Sequence, residues 1–178
     1  MHNGHMNLRD IQAPIKQRYE EEPEAAQITM TVRSAASDLS DPLHCAIAPD
    51  AVPGLTWRSG AHPGVGGAGD VACSGDLLMG ALAACQEVTL RMVAAAMGIE
   101  LEAVDVEVSG RADLRGTLAM SRDVPVGITG INCTTRVKVR EGTSPDRARR
   151  LLENAERYCV VLNTLRGGVP VESDFSLE

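Results

Sequence analysis

The stretch Asp76-Leu-Leu-Met-Gly-Ala-Leu-Ala-Ala-Cys85-Gln-Glu-Val-Thr-Leu-Arg-Met-Val-Ala-Ala-Ala-Met97 is the most apolar part of the chain and decides its fold. It reads as one long helix, with Ser74 as N-cap, Asp76 favouring the helix dipole and Gly98 as the stop. The segment 77–96 has the length of a membrane span, but Gln86, Glu87 and Arg91 interrupt it near its centre, so a core helix is expected. It is apolar almost all round and should be buried on most sides. One small domain encloses such a helix with difficulty, so a second subunit is expected to complete the cover.

On a helical wheel at about 100° per residue, Leu78, Ala81, Leu82, Val88, Thr89 and Met92 share the half that carries Cys85. Glu87 and Arg91 fall on the far side, four apart in the favourable order, and read as a structural ion pair. An apolar site raises a thiol's pKa unless a cation intervenes. An active Cys85 would therefore need a cation from a strand or loop. Cys159 lies in Glu156-Arg-Tyr-Cys-Val-Val-Leu162, at the exit of a later helix, where the turning chain can leave its sulfur partly exposed. Taken alone, each of the two reads first as an inert core thiol. Cys133 alternates with Ile131 and Val137 and reads as core, and no role is assigned to Cys45 or Cys73.

Outward from the long helix, residues 1–26 are expected to form an N-terminal helical arm, broken at Pro14, and 27–178 a single domain. Strands are expected over Ile28–Ala35, Leu43–Ala48 and Leu55–Arg58, followed by a glycine-rich loop over His62–Ala72. Beyond the helix, strands are read over Ile99–Ser109, over Asp113–Met120 and through Ile131 to Val139. A helix capped by Ser144 with Pro145 at its first position runs to about Tyr158, and Val169–Val171 reads as a closing strand. That order makes an α+β domain with largely antiparallel sheets around the long helix.

The chain has 178 residues, 44% of them hydrophobic, which is enough for one globular domain with a core. Aromatics make up 2% and the net charge is −7, which disfavours nucleic-acid binding by base stacking or phosphate contact. Only Lys16 and Lys138 are lysines, so nearly all positive charge is arginine. Residues 1–26 show no apolar signal region, and five cysteines without framework spacing fit a reducing cytoplasm. Gly64-Val-Gly-Gly-Ala-Gly69 matches the dinucleotide pattern but lacks a leading strand and a parallel β-α-β unit, so it reads as a loop. His44, Cys45, His62 and Cys73 lack metal-ligand spacing, and no metal or other cofactor is expected.

Several pieces in fixed order give the chain a resemblance to the OsmC/Ohr family of thiol-dependent hydroperoxide reductases, over about residues 27–172. They are Pro63-Gly-Val-Gly-Gly67, Ser74-Gly-Asp-Leu-Leu78 entering Ala81-Leu-Ala-Ala-Cys85, Gly110 to Gly116, Pro125-Val-Gly127, and Glu156-Arg-Tyr-Cys-Val-Val161 before Thr164-Leu165. The resemblance implies an intertwined homodimer with active sites at the subunit interface. It makes Cys85 and Cys159 a redox pair that reduces hydroperoxides and is recycled by an external dithiol. The chain departs from the pattern in two places. Val160 stands where many members have proline after the second cysteine. Gly75 stands where the organic-hydroperoxide branch has a glutamate that pairs with an arginine of the first hairpin, and Asp76 is adjacent. Arg33 is the candidate for that arginine. These departures are closer to the general OsmC-like branch. The rival readings are a non-catalytic dimeric protein that keeps the fold, with both cysteines as core thiols, and a redox-regulated binding protein.

Overall fold

A computed structural model describes residues 7–177. Helix α1 (Leu8–Glu21) opens the described chain, capped by the Asn7 side chain, which accepts from the Arg9 N–H at 3.1 Å. It runs through Pro14 instead of breaking there. A proline removes one backbone donor, and here the helix tolerates that loss in mid-course. Pro23 then opens a single 3₁₀ turn, Pro23–Ala26. No residue of α1 is buried, so Ile11, Ile15 and Tyr19 stay open to solvent in the single chain. The first six residues of the expected arm lie outside the described residues.

Strands β1 (Val32–Ser34), β2 (His44–Pro49) and β3 (Trp57–Gly60) form an antiparallel sheet in that order. Arg33 stands opposite Ala48, and Cys45 opposite Ser59. The strand expected from Ile28 shrinks to three residues, because only Val32–Ser34 find partners on β2, and Ile28 and Met30 remain exposed. The glycine-rich segment folds back tightly. A Cβ on Gly67 would stand 1.7 Å from the Ala61 carbonyl oxygen, so only glycine fits there. His44 spans from β2 to this loop, with Nδ1 2.7 Å from Asp41 and Nε2 3.0 Å from Asp70.

Helix α2 (Ser74–Met97) follows. Its cap is Cys73, not Ser74. The Asp76 carboxylate accepts from the Cys73 N–H at 2.9 Å while the Cys73 sulfur accepts from the Asp76 N–H at 3.4 Å. This is the reciprocal capping arrangement that a three-residue spacing permits, with sulfur in the hydroxyl's place. Gly98 stops the helix as expected, with φ 62° and the Ile99 N–H bonded to the Ala94 carbonyl at 2.9 Å.

Strands β4 (Leu101–Ala112) and β5 (Ile128–Val139) pair as a second, two-stranded sheet. Arg136 meets Asp105 at 2.8 Å and Lys138 meets Glu102 at 2.6 Å, so the strands run in opposite senses. Between them, the strand expected over Asp113–Met120 is instead one helical turn, α3 (Leu114–Thr117). Asp113 decides this: its side chain caps the turn by accepting from the Arg115 N–H at 3.1 Å. The Arg115 guanidinium beside it holds the Asp113 carboxyl down at about 2. Helix α4 (Pro145–Tyr158) begins as expected, with Ser144 as cap and Pro145 first. Helix α5 (Val160–Gly167) follows directly, and the closing strand expected at Val169–Val171 does not form: residues 168–177 adopt no regular element, and both valines are exposed.

The chain divides into two units. One holds the chain up to Gly80 together with Ser109–Asn132, and the other holds Ala81–Val108 together with the chain from Cys133 on. In the second, Leu90 and Ala94 of α2, Ile99, and Leu151 and Ala155 of α4 form the core, with Val104 and Val137 packed against it. Leu90 and Leu151 are fully buried, each contributing about 2 kcal/mol. Of α2 only Leu82, Gln86, Leu90 and Ala94 are buried, while Val88 is 53% and Met92 40% exposed. The expected burial on most sides is thus not reached within one chain. By length and composition α2 could also cross a bilayer.

Candidate functional site

Two buried stripes, each stepping by four residues, position the site inside the second unit. Leu82, Gln86, Leu90 and Ala94 form the stripe of α2, and Leu151, Ala155 and Cys159 that of α4. Cys85 precedes Gln86 on α2 and is half-buried, whereas Cys159 ends the second stripe and is 0% exposed. This reverses the expectation of a buried Cys85 and a partly exposed Cys159. The four-residue step carries Cys159 into the core, while Cys85 sits one position off the buried stripe.

Cys159 is at once the C-cap of α4 and the N-cap of α5, with an extended backbone at φ −73° and ψ 106°. The backbone N–H groups of Val160 and Val161 therefore belong to the first turn of α5 and have no partner within it. Both bear on the Cys85 sulfur. Burial alone would push the Cys85 thiol up. The N–H of Val161, the Cys159 thiol, the Thr89 hydroxyl and the N–H of Val160 outweigh it and bring the thiol below its ordinary value. The Thr89 oxygen stands 4.0 Å from the sulfur. Sequence reasoning asks for a cation here; the groups that lower this thiol are neutral donors, and two of them are a helix N-terminus.

Cys159 moves the other way. Burial raises it first, the Leu162 N–H partly offsets this, and the neighbouring Cys85 and Cys133 sulfurs raise it further. Of the two free thiols, Cys85 is thus the more readily ionised and Cys159 the less.

Arg33 lies in the first unit, on β1. Its Nε donates to both Asp50 oxygens at 3.1 and 3.0 Å, and its side chain is largely exposed. The carboxylate partner of this hairpin arginine is thus Asp50, just past β2, while Asp76 is engaged in the cap with Cys73. Glu87 and Arg91 form the expected ion pair at 3.4 Å on an exposed face of α2. Cys45 is exposed and Cys133 half-buried. Among the described residues no group of three or more His, Cys, Asp or Glu side chains is gathered as a metal site.

Sequence reasoning missed two features here. The N-terminus of α5 was hidden because Val160-Val161 has weak helix propensity. The Gln86 side chain looked merely like a polar interruption, yet it is 8% exposed and its Oε1 has no hydrogen-bond partner among the described residues. A buried acceptor left so costs about 1–3 kcal/mol.

Residues 67–174 match the family described as OsmC-like protein. No curated protein matches the chain. Among solved structures, the OsmC-like protein from Mycoplasma pneumoniae superimposes with a TM-score of 0.62 at 18% identity, over 80% of this chain and 90% of that one. An organic hydroperoxide resistance protein from Legionella pneumophila gives 0.55 at 23% identity, over 80% and 92%. One from Elizabethkingia anophelis gives 0.56 at 20% identity, over 80% and 91%. At these identities the likeness is one of fold.

Proposed function

Since the chain belongs to the OsmC-like protein family, we propose that it is a thiol-dependent peroxidase reducing organic hydroperoxides through Cys85 and Cys159. The observation that carries this reading is the neighbouring pair of free thiols in which hydrogen-bond donors lower Cys85 and burial raises Cys159. The Cys85 thiolate would attack the terminal peroxide oxygen, forming an S–O bond as the O–O bond breaks and an alkoxide leaves to take up a proton. Cys159 would then attack the sulfenic sulfur, forming a disulfide and releasing water. An external dithiol would reduce that disulfide by exchange. Hydrogen peroxide would follow the same steps with water as the leaving product. The partial exposure of Cys85 supports this order, because the attacking sulfur must meet substrate. The names of the Legionella and Elizabethkingia structures point to the same class of substrate.

The acting form is proposed to be a homodimer in a reducing cytoplasm, defending against oxidative stress. The uncovered apolar positions Val88 and Met92 on α2 support a second copy as cover. Arg33, oriented by Asp50, is proposed as the arginine of the site. Consumption of cumene hydroperoxide by the purified protein with excess dithiothreitol tests the reading. Turnover together with an oxidised form that is cross-linked between Cys85 and Cys159 would support it. Absence of both would favour a non-catalytic protein with the same fold.

A further inference from the structure

The helix end that faces Cys85 is itself held by one side chain. The Asn163 Nδ2 stands 2.8 Å from the carbonyl oxygen of Cys159, 3.1 Å from that of Arg157 and 3.3 Å from that of Glu156. The Asn163 backbone N–H also bonds to the Cys159 carbonyl, at 3.1 Å. Three carbonyl oxygens around one amide terminus can only accept, which fixes that terminus as the nitrogen. These carbonyls are the ones a helix leaves without partners at its C-terminal end. Asn163, from the first turn and a half of α5, therefore closes the last turn of α4 and sets the angle at which the chain turns through Cys159.

We propose that Asn163 is a positioning residue: its amide clamps the α4–α5 elbow so that the Val160 and Val161 N–H groups and the Cys159 thiol meet the Cys85 sulfur. The proposal deepens the peroxidase reading, in that the elbow it positions is the part of the site that would activate one cysteine and present the other. The remaining charged and titratable groups near the elbow are otherwise engaged. Glu156 pairs with Arg166 at 2.6 Å, and Arg157 stands 5.6 Å over the Tyr158 ring. Glu87 and Arg91 pair with each other on α2, and Cys133 of β5 acts on Cys159. A displaced elbow would thus find none of these groups free to replace the lost donors.

The test reads the Cys85 thiolate directly and requires no peroxide. In the protein with Cys45, Cys73 and Cys133 blocked by prior mutation to serine, the pH midpoint of Cys85 alkylation is measured for Asn163→Leu and Asn163→Ala. Both remove the amide donors without adding a charge; the second is the smaller change, so it serves if the first does not fold. The midpoint is expected to rise by about half a pH unit or more, the scale of a charge's interaction with a helix terminus. The rate of disulfide closure after one equivalent of oxidant is expected to fall roughly tenfold, as misplacement of a reacting pair does. Arg166→Gln, which breaks only the ion pair spanning the same helices, should leave the midpoint in place. A folded Asn163 variant, matched to the parent in circular dichroism, that keeps both the parental midpoint and the parental closure rate overturns the proposal. If the protein turns over no hydroperoxide yet the midpoint shifts, the peroxidase reading fails and the positioning role stands.

Discussion

Cys85 on α2 and Cys159 at the α4–α5 elbow are shifted in opposite directions: the Val161 N–H and then the Cys159 thiol lower Cys85 against its burial, while burial and then the Cys85 sulfur raise Cys159. The asymmetry supports the proposed order, in which Cys85 reacts first and Cys159 second.

Cys85→Ser should abolish hydroperoxide consumption with a dithiol. Cys159→Ser should permit a single oxidation of Cys85 and then stop. Cys133→Ser should leave the rate within about twofold, since volume-conserving changes at partly buried positions cost little. Steady-state turnover and one-equivalent mass analysis check the order. Equal losses in all three would point to impaired folding.

Arg33→Met should raise the pH at which Cys85 is alkylated, whereas Arg91→Met should leave it unchanged, because Arg91 is paired with Glu87 on an exposed face. An exposed pair of this kind is worth only about 0.3–0.5 kcal/mol. A response to Arg91 with none to Arg33 would reverse the assignment.

Val88→Glu should turn a dimer into a monomer. Val88 is 53% exposed on a helix that is apolar along its length, and a stable obligate interface buries about 2,000 Å² or more of mainly apolar surface. Light scattering at micromolar concentration reads the result. A wild-type protein that is already monomeric would remove the basis for an intersubunit site.

His44 should hold the glycine-rich loop more firmly in acid. Its hydrogen bond to Asp70, then that to Asp41, raises its pKa above 6.5. A group raised on folding stabilises fully below its unfolded value and loses that contribution as pH rises through its folded value. Amide exchange over 62–72 should therefore quicken as pH rises above 6.5, beyond the intrinsic base catalysis measured on an unfolded reference. His44→Gln should remove this extra dependence. A titration midpoint for His44 at or below 6.5 would contradict it.

Much of the architecture could be read from local chemistry. The long apolar run, Gly98 with its positive φ, and Ser144-Pro145 all specify helix ends through a few adjacent atoms, and each stands where expected. Asp113 shows where that reading slips: one carboxylate capping one N–H turned a stretch read as a strand into a helical turn. At the other end, Val169 and Val171 have strand-forming side chains but find no strand to pair with.

By itself the sequence determined the α+β class, the central helix and the family, because periodicity, caps and short motifs are properties of neighbouring residues. Only the tertiary structure decided that Cys85 is the accessible thiol and Cys159 the buried one. It alone brought the N-terminus of α5 onto the Cys85 sulfur and gave Arg33 to Asp50. The reason is that a thiol's charge state depends on the donors and the solvent around it. Apart from Thr89, the donors around Cys85 come from residues more than seventy positions away along the chain.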